Sequence, residues 1–250
     1  MFSKTTLSHA VLLYHSVGTQ ENDPDKLAIN PDDFEHQMDY LFDANYDVLP
    51  LKELLETKPL RRKKRIAITF DGGYRDSLLV AKDILNSFDF SASLFIPTAP
   101  SFEDAPLNHY SQNWGILNAD ELILAGINFD LFTAGHSGTD LTTLDTIQRQ
   151  RELTKSQQLL STIADNVNYA MALPQHNYNQ AVIDDILDAG FKHILGNQNF
   201  VYLENSPVIH RIQVTGNDAF ASFVSKLHRL PDWIIKRMKK NVIENLDARE

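Results

Sequence analysis

Short apolar runs alternate along this chain with longer segments whose apolar residues return at helical spacing. The runs predict strands at Val11–His15, Arg65–Phe70, Ala92–Ile96, Ile127–Leu131, Tyr169–Leu173, His193–Leu195 and Val208–Val214. Helices are predicted over Arg75–Phe88, Ala119–Ala125, Leu144–Asn166, Asn179–Ala189 and Asp218–Arg229, with a last one after Pro231. The clearest helix start is Asn30-Pro31-Asp32-Asp33. It has a capping Asn, Pro at the first helical position, and acidic residues where the helix dipole favours them. Phe34, Met38, Leu41 and Phe42 follow at helical spacing and are expected to face the core. Strands alternating with helices imply an α/β fold with a mostly parallel sheet, and about seven such units suggest an incomplete barrel. The longest irregular stretch, Thr98–Asn118, is the candidate active-site loop.

Composition narrows the function classes. With 250 residues and 43% hydrophobic content the chain can bury a full core, so residues 1–250 read as a single domain. A net charge of −10 argues against nucleic acid, which requires a concentrated basic surface. The chain has no cysteine, which excludes disulfides, thiolate metal sites and cysteine nucleophiles. Val11-Leu12-Leu13 is too short for a signal-peptide core or a membrane span, so the expected location is cytoplasmic. Arg61-Arg62-Lys63-Lys64-Arg65 reads as a solvated edge before a strand. The segment at about 231–245 predicts a basic amphipathic C-terminal helix, with Trp233, Ile234 and Ile235 beside Lys236, Arg237, Lys239 and Lys240. Its favoured reading is to close the barrel with the apolar side; the alternative is peripheral contact with an anionic membrane surface.

The chemistry concentrates at Thr69-Phe70-Asp71-Gly72-Gly73-Tyr74, where a predicted strand runs into a loop. In β/α folds catalytic groups collect at that edge. This stretch resembles the T-F-D-D-G-Y motif of the polysaccharide deacetylases (carbohydrate esterase family 4, the chitooligosaccharide deacetylase homology domain). Other pieces resemble the same family in order. They are Leu13-Tyr14-His15-Ser16-Val17, the helix Asn30–Met38, Tyr46–Leu51, Leu173-Pro174-Gln175-His176-Asn177-Tyr178-Asn179, Ala189–Lys192 and Arg211–Val214. Together they cover Val11 to about Leu230. The resemblance implies a distorted (β/α)7 barrel of the polysaccharide deacetylase type. It also implies that Asp71 corresponds to the catalytic base, while Gly72 replaces a carboxylate that binds a divalent metal, usually zinc.

The family's second motif supplies two more ligands, as H-[ST]-x-x-H. Three registers are open. The favoured one, which needs no gap after Gly126, aligns Phe132-Thr133-Ala134-Gly135-His136 and puts Phe132 at the first histidine. A second starts at His136 and ends on Asp140, and a third, anchored on Asp140-Leu141-Thr142, has no histidine at either position. In every register at least two of the three ligand types are missing. No bound metal or other cofactor is therefore expected. Base catalysis by Asp71 alone supplies about 10²–10⁴-fold, short of the ~10⁶-fold or more expected of an enzyme. His15, His109, His176 and His210 are candidates for a rebuilt site.

These observations predict Asp71 and His136 as candidate catalytic residues and His15, Tyr74, His176 and Arg211 as substrate-binding residues. The cleft should hold Asp71, Tyr74, His136, His176 and Arg211, with Thr98–Asn118 at its rim. The leading functional expectation is a deacetylase-like protein that binds N-acetylated saccharide or polysaccharide with hydrolysis lost or impaired. The alternatives are an active deacetylase with a rearranged metal site and a scaffold or regulatory partner of a glycan-assembly enzyme. Under the favoured register, Gly72→Asp with Phe132→His is expected to improve zinc binding.

Overall fold

Side chains along the strands alternate between two apolar environments, and this alternation organises the computed structural model. The structure describes residues 9–19, 23–57, 64–103, 114–165, 167–197 and 207–228. The main strands are β1 (His9–Tyr14), β5 (Arg65–Asp71), β6 (Ala92–Ile96), β7 (Phe129–Thr133), β8 (Ala170–Ala172), β9 (His193–Gly196), β10 (Val208–His210) and β11 (Ile212–Gln213). All their pairings are parallel, in the order β10-β9-β8-β7-β6-β5-β1-β11. A short strand β4 (Asp47–Val48) pairs with β5, and β2 (Ser16–Val17) pairs with β3 (Ala28–Ile29) apart from the main sheet.

The predicted strand Val208–Val214 is divided at Arg211. Its first half pairs with β9 at one edge of the sheet, and its second half pairs with β1 at the other. One continuous stretch thereby joins both edges, and the sheet becomes a nearly closed (β/α)7 barrel. Val11, Ala67, Phe95, Phe132, Ala170, Ala172, Leu195 and Ile209 pack together on its inner side. Their chain neighbours Leu12, Ile66, Ile68, Leu94 and Leu131 pack outward, in one cluster with helix residues. This period of two is what a strand buried on both faces requires.

The helices are α1 (Pro31–Asp43), α2 (Leu51–Glu56), α3 (Lys82–Ser87), α4 (Thr98–Phe102), α5 (Ala119–Ala125), α6 (Thr146–Leu160), α7 (Gln180–Asp188) and α8 (Phe220–His228). Their starts follow local chemistry. The Asn30 side chain accepts from Asp32 N, Asn118 and Glu121 form a capping box, and Asp145 and Gln148 form another. Leu51 and Leu54 of α2 pack into the barrel interior.

Several boundaries differ from expectation. Phe42 is 59% exposed, because the buried stripe of α1 is Phe34, Gln37, Met38 and Leu41. Gln37 earns its buried place by accepting a 2.7 Å hydrogen bond from the Tyr14 hydroxyl. β7 starts two residues later than predicted, since Ile127 and Asn128 still donate to Leu124 and Ala125 in the turn that ends α5. The predicted helix Arg75–Phe88 contains a π-helical turn, Ser77–Ala81, before α3. The predicted Leu144–Asn166 helix is Thr146–Leu160, started by the Asp145 cap and continued only as turn. The C-terminal helix expected at about 231–245, most of the basic run and the centre of the Thr98–Asn118 loop lie outside the described residues. Among the described residues no helix is long and apolar enough to cross a membrane.

Candidate functional site

Asp71 is the last residue of β5, and alternation turns it inward together with Ala67 and Thr69. It meets Arg211, the residue at which the closing strand changes partners. Arg211 is 0% exposed and grips both carboxylate oxygens, Nη1 to Oδ1 at 2.7 Å and Nη2 to Oδ2 at 2.6 Å. Nη1 also lies 3.3 Å from Thr69 Oγ1, Nε donates to Gly196 O at 3.3 Å, and the guanidinium stands 5.3 Å from the centre of the Phe95 ring. Burial pushes the Asp71 carboxyl up, but the Arg211 charge and hydrogen bonds, with smaller help from His15 and His176, hold it below its ordinary value. Asp71 is a paired anion.

A cavity of about 200 Å³ opens over this pair. Asp71, Gly72, Tyr74, His15 and His176 line it, with Pro97, Ala134 and Gly138 forming one wall. The His15 and His176 rings are edge to face with centroids 6.3 Å apart. Each has a buried Nδ1 without a hydrogen-bond partner among the described residues. Burial is the main cause that lowers both pKa values, His176 to about 4. For both, Asp71 opposes the shift and Arg211 adds to it, so both rings are neutral at pH 7. Gln175 and His176 adopt left-handed backbone, with φ of 51° and 65°. In the resemblance His176 stands where the third motif usually has glycine, and it keeps a backbone conformation that glycine tolerates best.

His136 does not line the cavity. Its Nδ1 is hydrogen-bonded to Thr98 Oγ1 at 3.0 Å, and its Nε2 lies 3.5 Å from Glu103 Oε2. Burial and Lys155 lower its pKa, against Glu103 and Glu152. Phe132 packs in the barrel interior, 5.4 Å from Phe95 and 6.1 Å from Tyr169 between ring centres. Gly72 has φ of 99°, and a Cβ built there would lie 2.5 Å from the Tyr74 ring.

Of the expected cleft, the structure brings together Asp71, Tyr74 and His176, with His15 beside them and Arg211 beneath Asp71 rather than on the surface. It places His136 elsewhere. His210 has a buried Nδ1 without a partner among the described residues and sits near Tyr178, while His109 lies outside those residues. Thr69, which the motif contains, and Pro97 join the site beyond the side chains expected to line it. Strand alternation from Asp71 marks Thr69 as inward-facing, but no local signal marks Pro97. The residues present do not fit a divalent metal. Both Asp71 oxygens are held by a buried cation, and among the described residues no three His, Asp or Glu groups converge.

The parallel strands and flanking helices, with Asp71 at the end of β5, define a β/α barrel protein. Within that class the chain belongs to the polysaccharide deacetylase family, whose model matches residues 58–194. The Bacillus subtilis (strain 168) protein YxkH, which carries a polysaccharide deacetylase name, is 22% identical over 225 residues, covering 87% of this chain and 76% of that protein. The Bacillus cereus polysaccharide deacetylase BC0361 superposes with a TM-score of 0.74 at 18% identity, covering 88% of this chain and 68% of that one. The Streptococcus pyogenes deacetylase PplD, solved with acetate, gives 0.72 at 19% identity, covering 87% and 97%. At these identities the superpositions establish the fold.

Proposed function

We propose that this polysaccharide deacetylase-like protein binds an acetylated saccharide in the His15–Asp71–Tyr74–His176 cavity and does not run the family's metal-dependent hydrolysis. The observation that carries the reading is the bidentate Arg211–Asp71 pair beneath a cavity lined by two neutral histidines. Such a site is close to charge-neutral and offers hydrogen-bonding groups without a strong base. A carboxylate held below its ordinary pKa is a weak proton acceptor, so Asp71 orients Arg211 and polar ligand atoms rather than activating water. The 200 Å³ volume suits one acyl-sized group, with the rest of a saccharide outside.

The test is calorimetric titration with N-acetylated and de-N-acetylated glucosamine oligomers, with acetate release followed in parallel. Binding of the acetylated series alone, without acetate release, is the expected result. Acetate release that depends on added zinc would favour an active enzyme with a rearranged site. No binding of either series would favour the scaffold role.

A further inference from the structure

The cavity wall formed by Pro97, Ala134 and Gly138 is made by two segments beyond the ends of β6 and β7. Backbone bonds continue between them: Ala134 N to Ile96 O at 2.9 Å, Thr98 N to Gly135 O at 3.1 Å and Ala99 N to His136 O at 2.8 Å. Pro97 has no N–H to give, so the wall is unsupported by backbone donation at the residue that faces the cavity. Gly135 and Gly138 both have left-handed backbone, with φ of 84° and 75°. A segment with glycines at both ends has wide conformational freedom, and side chains must hold it in one shape.

Among the described residues Thr133 Oγ1 accepts from Gly135 N at 3.0 Å where the segment begins, and two further side-chain anchors lie beyond it. Ser137 donates to Glu152 Oε2 through its N at 2.8 Å and its Oγ at 3.0 Å. The other anchor is His136, with Nδ1 on the buried Thr98 hydroxyl. Its Nε2 faces Glu103, which is held by Lys155 of α6 at 2.8 Å. A carboxylate can only accept, so it favours the proton on Nε2; Nδ1 is then the acceptor, and the Thr98 hydroxyl donates to it.

We infer that His136 is a positioning residue of this site: in the Nε2–H form it accepts from Thr98 and fixes the Gly135–Gly138 segment, and with it the Pro97–Gly138 wall. The histidine that spacing assigns to a metal serves as a clasp. The consequence for ligand affinity rests on the cavity being the saccharide site; the tautomer and the clasp do not.

The experiment compares the whole chain with His136→Ala, His136→Asn, His136→Gln and Thr98→Val. Imidazole ¹H–¹⁵N correlation spectra should show the Nε2–H form at pH 7. Amide exchange at Thr98, Ala99 and Ser137 should accelerate in His136→Ala and Thr98→Val. N-acetylated glucosamine oligomers should bind about fivefold more weakly to His136→Ala, the order expected for one lost hydrogen bond. Asn, whose amide reaches about as far as Nδ1, should restore affinity and protection, and Gln, which reaches toward Nε2, should not. An Nδ1–H tautomer, unchanged exchange in both Ala and Val variants, or rescue by Gln but not Asn would overturn the inference. If the parent binds no oligomer, the saccharide reading fails, and the spectra and exchange still decide the role of His136.

Discussion

Restoring the family's ligand types with Gly72→Asp and Phe132→His tests whether a metal site lies one step away. The sequence suggested that it does, and the geometry argues otherwise. Gly72 has φ of 99°, a region where a non-glycine residue costs about 1–3 kcal/mol. Its new Cβ would lie 2.5 Å from Tyr74 Cε2, and that ring is buried against Trp114 at 5.0 Å between centres. Overpacking of this kind adds about 1–3 kcal/mol. Phe132 is 4% exposed, and a histidine there loses ring contacts with Phe95 and Tyr169 and buries nitrogens within an apolar cluster, for about 2 kcal/mol or more. The total, roughly 4–8 kcal/mol, is a large part of the ~5–15 kcal/mol that stabilises a domain. Zinc cannot return it, because the third ligand, His136, is committed to Thr98 and turned away from the cavity. Urea unfolding of the parent, both single variants and the double variant, with and without zinc, measures each part. Expected are a loss of at least about 4 kcal/mol in the double variant and no midpoint gain from zinc beyond the parent's. A double variant as stable as the parent that binds one equivalent of zinc at micromolar affinity would refute the reasoning.

Two further outcomes follow from the buried charges. The pKa of His176 is depressed in the fold, to about 4, so its neutral form contributes stability that is full above the unfolded value near 6.5 and is lost as pH falls toward 4. The loss is of order 3 kcal/mol, and His15 acts in the same direction; urea midpoints of His176→Gln should fall less than the parent's over that window, and superimposable profiles would contradict this. The depressed Asp71 carboxyl adds a loss at lower pH, below the ordinary carboxylate range. Arg211→Leu leaves Asp71 buried and unpaired and should cost about 3–5 kcal/mol, whereas Asp71→Leu with Arg211→Leu should recover much of it. A double-variant loss equal to the sum of the two single-variant losses would show that the pair is uncoupled.

How far the sequence led depends on the range of each signal. Ala92–Ile96 and Ala119–Ala125 are strand and helix as predicted, because their cues are local: a compact apolar run in one, the Asn118–Glu121 capping box in the other. The Arg211 break, the β2–β3 pair and the packing of α2 into the interior depend on partners far along the chain, and no short pattern announces them. Val208–Val214 reads as one strand from its residues alone. Only closure of the sheet makes its two halves pair with opposite edges.

The candidate site divides on the same line. Asp71, His15 and His176 gather because each follows or ends a barrel strand, and parallel topology sends all those ends to one mouth. Placing His136 among them required a further assumption, that the chain beyond β7 keeps the strand's alternation. On that assumption Phe132, Ala134 and His136 would all face inward, and the first two do. Gly135 breaks the series: with φ of 84° it leaves the extended backbone on which alternation depends, and the next side chain turns to Thr98. Residue spacing counts atoms along the chain, but ligation depends on direction, and one left-handed glycine changes direction without changing the count. A motif with the right residues at the right intervals can therefore hold a wall instead of a metal.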